Sequence, residues 1–138
     1  MGSADTAPAG TVAAIEGRSG GAVFVIEDHA GYRVIAGHPQ HPDTRITLDG
    51  IDRPSLREFA VALEAHLQTR SGERPHVPYD EAFPASVQLA RPGVVLNVYD
   101  DGEDFSIMAV ANGAKAGTGT GASLSDVRRF STALTGLS

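Results

Sequence analysis

The chain contains no cysteine and no tryptophan. Without a thiol there is no disulfide framework, no thiolate metal site and no cysteine nucleophile. Lysine is almost as scarce: Lys115 is the sole lysine among 11 basic residues. Against those stand 17 acidic residues, and the formal net charge of −6 removes the broad electrostatic attraction that dominates nucleic-acid affinity, although a local basic face remains open. Long apolar runs are missing as well. None approaches the roughly 20 residues of a membrane-spanning helix, and the N-terminal stretch lacks the basic and apolar regions of a signal peptide. The expectation is a protein with no membrane partner, and the compartment, otherwise open, defaults to the cytoplasm. The arginine-heavy basic set, with its many alanines, glycines and valines, points to a GC-rich genome such as that of an actinobacterium.

What is present is a pattern that occurs twice. At 138 residues and 41% hydrophobic, the chain can bury one core. Residues 1–11 are small, polar and Pro/Gly-bearing and read as a flexible tail, leaving 12–138 as a single domain. Within it Leu56, Phe59, Ala60, Leu63 and Leu67 fall at the spacing that gathers side chains on one stripe of a helix. Asp52 is placed to cap that helix, and Pro54 fits its first turn. A second helix from Ser123 to Leu137 repeats the arrangement, with Ser123 as cap and Val127, Phe130 and Leu134 turned inward. Phe59 and Phe130 lie about 71 positions apart, as do Leu56 and Val127, Arg57 and Arg128, Ala62 and Ala133, and Leu63 and Leu134.

Short β-type runs precede each helix. In the first half these are Val12–Ile15, Ala22–Ile26, Tyr32–Ala36 and Arg45–Leu48, broken by turn residues at Arg18–Gly21 and Asp28–Gly31. In the second they are Ser86–Leu89, Val94–Tyr99 and Phe105–Val110. The stretch 69–84 carries three prolines without a sustained period and reads as a linker between repeat 1 (12–68) and repeat 2 (85–138). A meander followed by a helix exposes an apolar face that must be covered. The predicted fold is therefore α+β, with two tandem antiparallel β-meander-plus-helix repeats related by a pseudo-twofold. One continuous antiparallel sheet with both helices on one side is the competing arrangement.

Candidate chemistry is sparse. His38, His41 and Asp43 share a loop in metal-ligand proximity, but its prolines suit an exposed turn, and no metal is expected. His29, His66 and His76 read as solvated surface histidines. Asp100–Asp104 concentrates four carboxylates without the alternating spacing of a calcium loop, and reads as a solvated hairpin tip. The stretch Gly113–Ser123 is glycine-rich, holds the lysine and opens a helix. Lys115, Gly117, Gly119, Gly121 and Ser123 are thus candidates for holding an anion such as phosphate, with a flexible or lid-like loop as the alternative. It matches neither the Walker A pattern nor the dinucleotide fingerprint. Arg18, Tyr32, Arg33, Arg45 and Arg91 sit at strand ends or turns, where a curved sheet can present cations and one aromatic to a nucleic-acid strand.

The strands Ala22–Ile26, Tyr32–Ala36 and Arg45–Leu48 leading into Pro54–Leu63, with a second round from Val87 to Leu134, resemble the Whirly and transcriptional-coactivator fold of single-stranded nucleic-acid binders. That resemblance implies nucleic-acid binding by the sheet face and a role in transcriptional or developmental regulation. The residues themselves leave two alternatives standing. One is an acidic protein-interaction module, immunity-like or regulatory. The other is a binder of a phosphate-containing small ligand through Gly113–Ser123. In the first two readings the chain is non-enzymatic and needs no cofactor, and a homo-oligomer is left open.

Overall fold

The computed structural model of the chain describes residues 9–18, 20–29, 31–38, 45–69, 86–91, 94–100, 104–111, 113–118 and 121–136. The first repeat runs β1 (Thr11–Glu16), β2 (Ala22–Asp28), β3 (Gly31–Gly37), β4 (Ile46–Ile51) and α1 (Arg53–Gln68). The second runs β5 (Val87–Arg91), β6 (Val94–Asp100), β7 (Phe105–Ala111), β8 (Ala114–Gly117) and α2 (Leu124–Thr135). Each set of strands forms its own four-stranded sheet in sequential order, antiparallel throughout. The single continuous sheet is thereby excluded, and the meander-plus-helix unit occurs twice.

Alternation along the strands explains which face turns inward. In β3, Tyr32, Val34 and Ala36 are buried while Arg33 is exposed. In β7, Phe105, Ile107 and Ala109 take the inward positions. The helices supply the opposing surface. The stripe of α1 is buried at all five predicted positions, Leu56, Phe59, Ala60, Leu63 and Leu67, and α2 buries Val127, Phe130, Ser131 and Leu134. Both caps form as the sequence indicates. The Asp52 carboxylate accepts from the Ser55 amide at 2.8 Å, and the Ser123 hydroxyl accepts from the Asp126 amide at 3.1 Å.

The halves are not stacked as independent units. Helix α1 packs on β5 of the other repeat and α2 packs on β1, while the two helices lie against each other. Strand β4 meets β7, β8 meets β3, and β4 meets β8. Every one of these contacts is either matched by its equivalent in the other repeat or self-paired, as a pseudo-twofold requires. One apolar core results, drawing on both sheets and both helices, with Phe59 and Phe130 at 2% and 1% exposure.

One expectation changes. Gly113–Ser123 is not a loop throughout, because Ala114–Gly117 forms β8 against β7 and Ala122 bridges Phe105. Its glycine is needed for close approach: a Cβ on Gly117 would lie 2.0 Å from the Ile107 carbonyl oxygen, and one on Gly21 would lie 2.1 Å from that of Gly117. The β1–β2 turn and the end of β8 thus meet backbone to backbone across the two repeats. Phe24 is buried, but with Ala22, Ile26 and the partly buried Ile35 it forms a second cluster apart from the main core. It does so because both faces of β2 are covered.

If the two helices are equivalent halves of one core, Phe59→Ala and Phe130→Ala each cost about 3–5 kcal/mol in urea unfolding, the usual penalty for emptying a buried aromatic site. A cost below about 1 kcal/mol for either one, within the ordinary range of surface substitutions, contradicts the equivalence.

Candidate binding cleft between the helices

The candidate nucleic-acid residues are placed apart from one another. Tyr32 points into the core at 3% exposure, with its hydroxyl 3.5 Å from Glu27, so its ring is not presented to a stacking base. Arg33 is on the outer face of the first sheet, its Nε donating to Asp49 at 2.7 Å, with Asp28 at 3.7 Å from the same guanidinium. Arg18 pairs with Asp104. Arg45 is exposed just ahead of β4. Arg91 closes β5, and its side chain is outside the described set.

The candidate anion residues are also dispersed. Lys115 is exposed on β8, Gly117 is wedged against β7, and Gly119 lies outside the described residues. Gly121 and Ser123 do come together with Arg18, in an open cleft of about 430 Å³ at the start of α2. Glu16, Asp104 and Asp126 line the same cleft. One guanidinium already paired to a carboxylate, set among three carboxylates, makes an unfavourable environment for phosphate. The helix N-terminus there is used internally, by the Ser123 cap and by an Asp126 to Arg129 ion pair.

Among the histidines, His29 is exposed as expected, His41, Asp43 and His76 lie outside the described residues, and His38 is half-buried beside Gly20. Among the described residues no three His, Asp or Glu side chains are grouped as metal ligands. His66 departs from its reading as a solvated residue. Its Nε2 lies 2.8 Å from Asp100 Oδ2, the distance at which an imidazole N–H donates to a carboxylate, and the Asp100 side chain is only 2% exposed. Asp100 is correspondingly no part of a solvated tip. The His66 ring also meets Phe105 edge-on, with centroids 6.3 Å apart. Two residues earlier, Glu64 accepts from the buried Ser131 hydroxyl at 3.0 Å. These contacts tie the C-terminal half of α1 to β6, β7 and α2, and they close that side of the helix seam.

The opposite side of the seam is open. By the repeat, Tyr32 corresponds to Phe105, Leu56 to Val127, Ala60 to Ser131 and Leu134 to Leu63. Where Phe105 is covered by His66, Tyr32 instead forms the floor of a cleft of about 230 Å³ with Leu56, Ala60 and Leu134. The helix lengths account for the difference. Helix α1 has 16 residues and α2 has 12, so α2 ends at Thr135 on the cleft rim while α1 continues past the equivalent point. Ala60 brings no hydroxyl to bridge the helices, whereas its counterpart Ser131 does. The rim carries Arg53 and Arg57, and Val61, 58% exposed, is the large apolar side chain left in solvent among the described residues. The cleft's described lining holds no carboxylate, and Glu27 stands beside it, 3.5 Å from the Tyr32 hydroxyl and 3.9 Å from the Arg53 guanidinium. The cleft joins an apolar floor to a cationic rim, which suits an apolar group with negative charge beside it.

The sequence offered one trace of this site. Val61 is a large β-branched apolar residue off the buried stripe, on an outer helix face otherwise made of polar residues and alanines, a position where packing does not ask for it. The rest is made by tertiary juxtaposition of β3, α1 and the end of α2. No family model matches the chain, and no curated protein matches it.

Replacing His66 with Ala leaves the Asp100 carboxylate buried without this donor. The expected loss is about 1–3 kcal/mol in urea unfolding, the usual worth of a hydrogen bond to a buried charged group. A double-mutant cycle with Asp100→Asn should return a favourable coupling of about 0.5 kcal/mol or more. Additivity of the two substitutions contradicts the clamp.

Proposed function

We propose that the chain is a non-enzymatic binding module whose partner is another protein, held at the cleft between α1 and α2. The observation that carries this reading is the cleft itself: a concave apolar floor, a guanidinium rim and an exposed valine beside it. Apolar anchors seated in such recesses and arginines at their edges supply much of the energy of protein interfaces.

Single-stranded nucleic-acid binding, as the fold resemblance implies, needs cations and ring faces free to follow a backbone. Arg18 and Arg33 are instead paired with carboxylates and Tyr32 is in the core. An overall charge of −6 adds a repulsive field around any polyanion. A phosphate-containing small ligand meets the carboxylates that line the cleft beside Ser123. A protein partner asks for none of these features to be otherwise.

A photo-crosslinking amino acid at position 61, in cells that make the protein naturally, tests the reading. The expected outcome is one discrete protein adduct, absent when the same group replaces Thr47, an exposed position on the outer face of the first sheet. Adducts with RNA or DNA from position 61, or equal protein capture from positions 61 and 47, contradict it.

A further inference from the structure

We infer that the cleft takes an acidic segment of its partner: a single leucine- or phenylalanine-sized side chain seated on the floor, with Asp or Glu neighbours set against Arg53 and Arg57. The inference rests on the protein-binding reading and adds the chemistry of the segment.

Size comes first. About 230 Å³ accommodates one large apolar side chain and does not accommodate an amphipathic helix laid along its length. Four described side chains, Tyr32, Leu56, Ala60 and Leu134, are each buried to 3% exposure or less and form its floor. An anchor seated there meets a packed surface, and little of the protein has to rearrange.

Charge comes second. The chain is acidic overall, so most of its surface favours basic ligands over acidic ones; this rim runs the other way. Arg53 and Arg57 stand four residues apart on α1, hence on the same helical face. Arg57 makes no ion pair among the described residues, and Arg53 has only the partly exposed Glu27 at 3.9 Å. Each guanidinium therefore keeps donors for a carboxylate, and paired hydrogen bonds between guanidinium and carboxylate are the geometry in which arginine is most selective.

Symmetry comes third. The equivalent place across the pseudo-twofold is filled from within by the chain's own groups. There the His66 ring lies on Phe105 and donates to Asp100, and Glu64 accepts from Ser131. An aromatic floor, a covering side chain and a carboxylate already meet there in one molecule. At the open cleft Glu27 stands beside Tyr32 as Asp100 stands beside Phe105, 3.5 Å from the Tyr32 hydroxyl, but among the described residues no ring lies on Tyr32 as His66 lies on Phe105. The apolar anchor of the partner segment takes that covering place, and its acidic neighbours answer the two arginines of the rim.

Titration of the ¹⁵N-labelled chain tests this, using three probes followed by amide chemical shifts: the peptide Glu-Asp-Leu-Phe-Asp-Glu, its counterpart with lysine at every acidic position, and a short oligothymidylate. The expected result is saturable shifts at Arg57, Ala60, Val61 and Thr135 with the acidic peptide alone. Arg53→Glu combined with Arg57→Glu should weaken that binding about tenfold or more, while Lys115→Glu on the second sheet leaves it unchanged. Both variants must keep the wild-type urea midpoint. Equal or tighter binding of the lysine peptide at these residues overturns the acidic chemistry and leaves the protein-binding reading in place. Shifts there with oligothymidylate overturn both. No saturable shift with either peptide up to about 1 mM overturns the inference, and the crosslink from position 61 then decides separately whether the reading of a protein partner stands.

Discussion

Each sheet has one apolar face, and the helix that follows it in sequence does not close that face alone. Helix α1 crosses to β5 and α2 crosses to β1, so the surface of either repeat is completed by the other. This exchange sets nearly everything else. It brings the two helices side by side, places the edges β4 and β8 near the pseudo-twofold axis, and lets one core run through the whole domain. It also accounts for the glycines where the β1–β2 turn meets the end of β8, since the backbones approach too closely there for any side chain. The burial of Val23, Val25, Val34 and Leu63 in one half and of Leu96, Val98, Ile107 and Val127 in the other, all at 0% exposure, is the consequence. Apolar area removed from water is the main favourable term in folding, and here it is removed jointly.

The departures from symmetry are where the molecule becomes specific. A duplicated unit places equivalent aromatic residues, Phe105 and Tyr32, at the two ends of the helix seam. At one end the longer α1 supplies His66 and Glu64, which hydrogen-bond Asp100 and Ser131 across the joint. At the other the shorter α2 stops at Thr135 and Ala60 offers nothing to bridge, so a recess remains. A difference of one helical turn and one hydroxyl thus separates a closed structural joint from an open cleft. Binding surfaces are often left concave and apolar with a few charged groups at the rim, and duplication supplies a spare joint from which such a surface can be made.

Much of the fold was legible in the sequence because its strongest signals are local. The stripe Leu56, Phe59, Ala60, Leu63, Leu67 carries a clean helical period behind a side-chain cap, and the same offset recurs through α2. The meanders alternate and are bounded by turn residues. Strand β8 was not legible: Ala-Lys-Ala-Gly has no β-branched or aromatic residue, and it becomes a strand because β7 offers it a ladder. Context overrides propensity in such edge strands. His66 was misread for a related reason. It falls off the buried stripe, and the partner that covers it lies 34 residues away in sequence. The candidate sites fared worst, because clusters of glycine, acid or arginine in sequence say nothing of their neighbours in space. Arg18 and Arg33 were visible as cations, whereas Asp104 and Asp49, which neutralise them, were visible only in three dimensions. The cleft joins residues 32, 53–61 and 134–135, a grouping that no window along the chain contains.

Native-state hydrogen exchange reads the mutual dependence of the repeats most directly. If each sheet is completed by the other repeat's helix, the slowest amides of the first sheet, at Val25 and Val34, and of the second, at Leu96 and Ile107, should exchange through the same opening. Their free energy should equal that of global unfolding measured by urea. One repeat exchanging through an opening cheaper by about 2 kcal/mol or more, while the other stays protected to the global limit, would show that the halves fold apart and that the shared core is not what holds them.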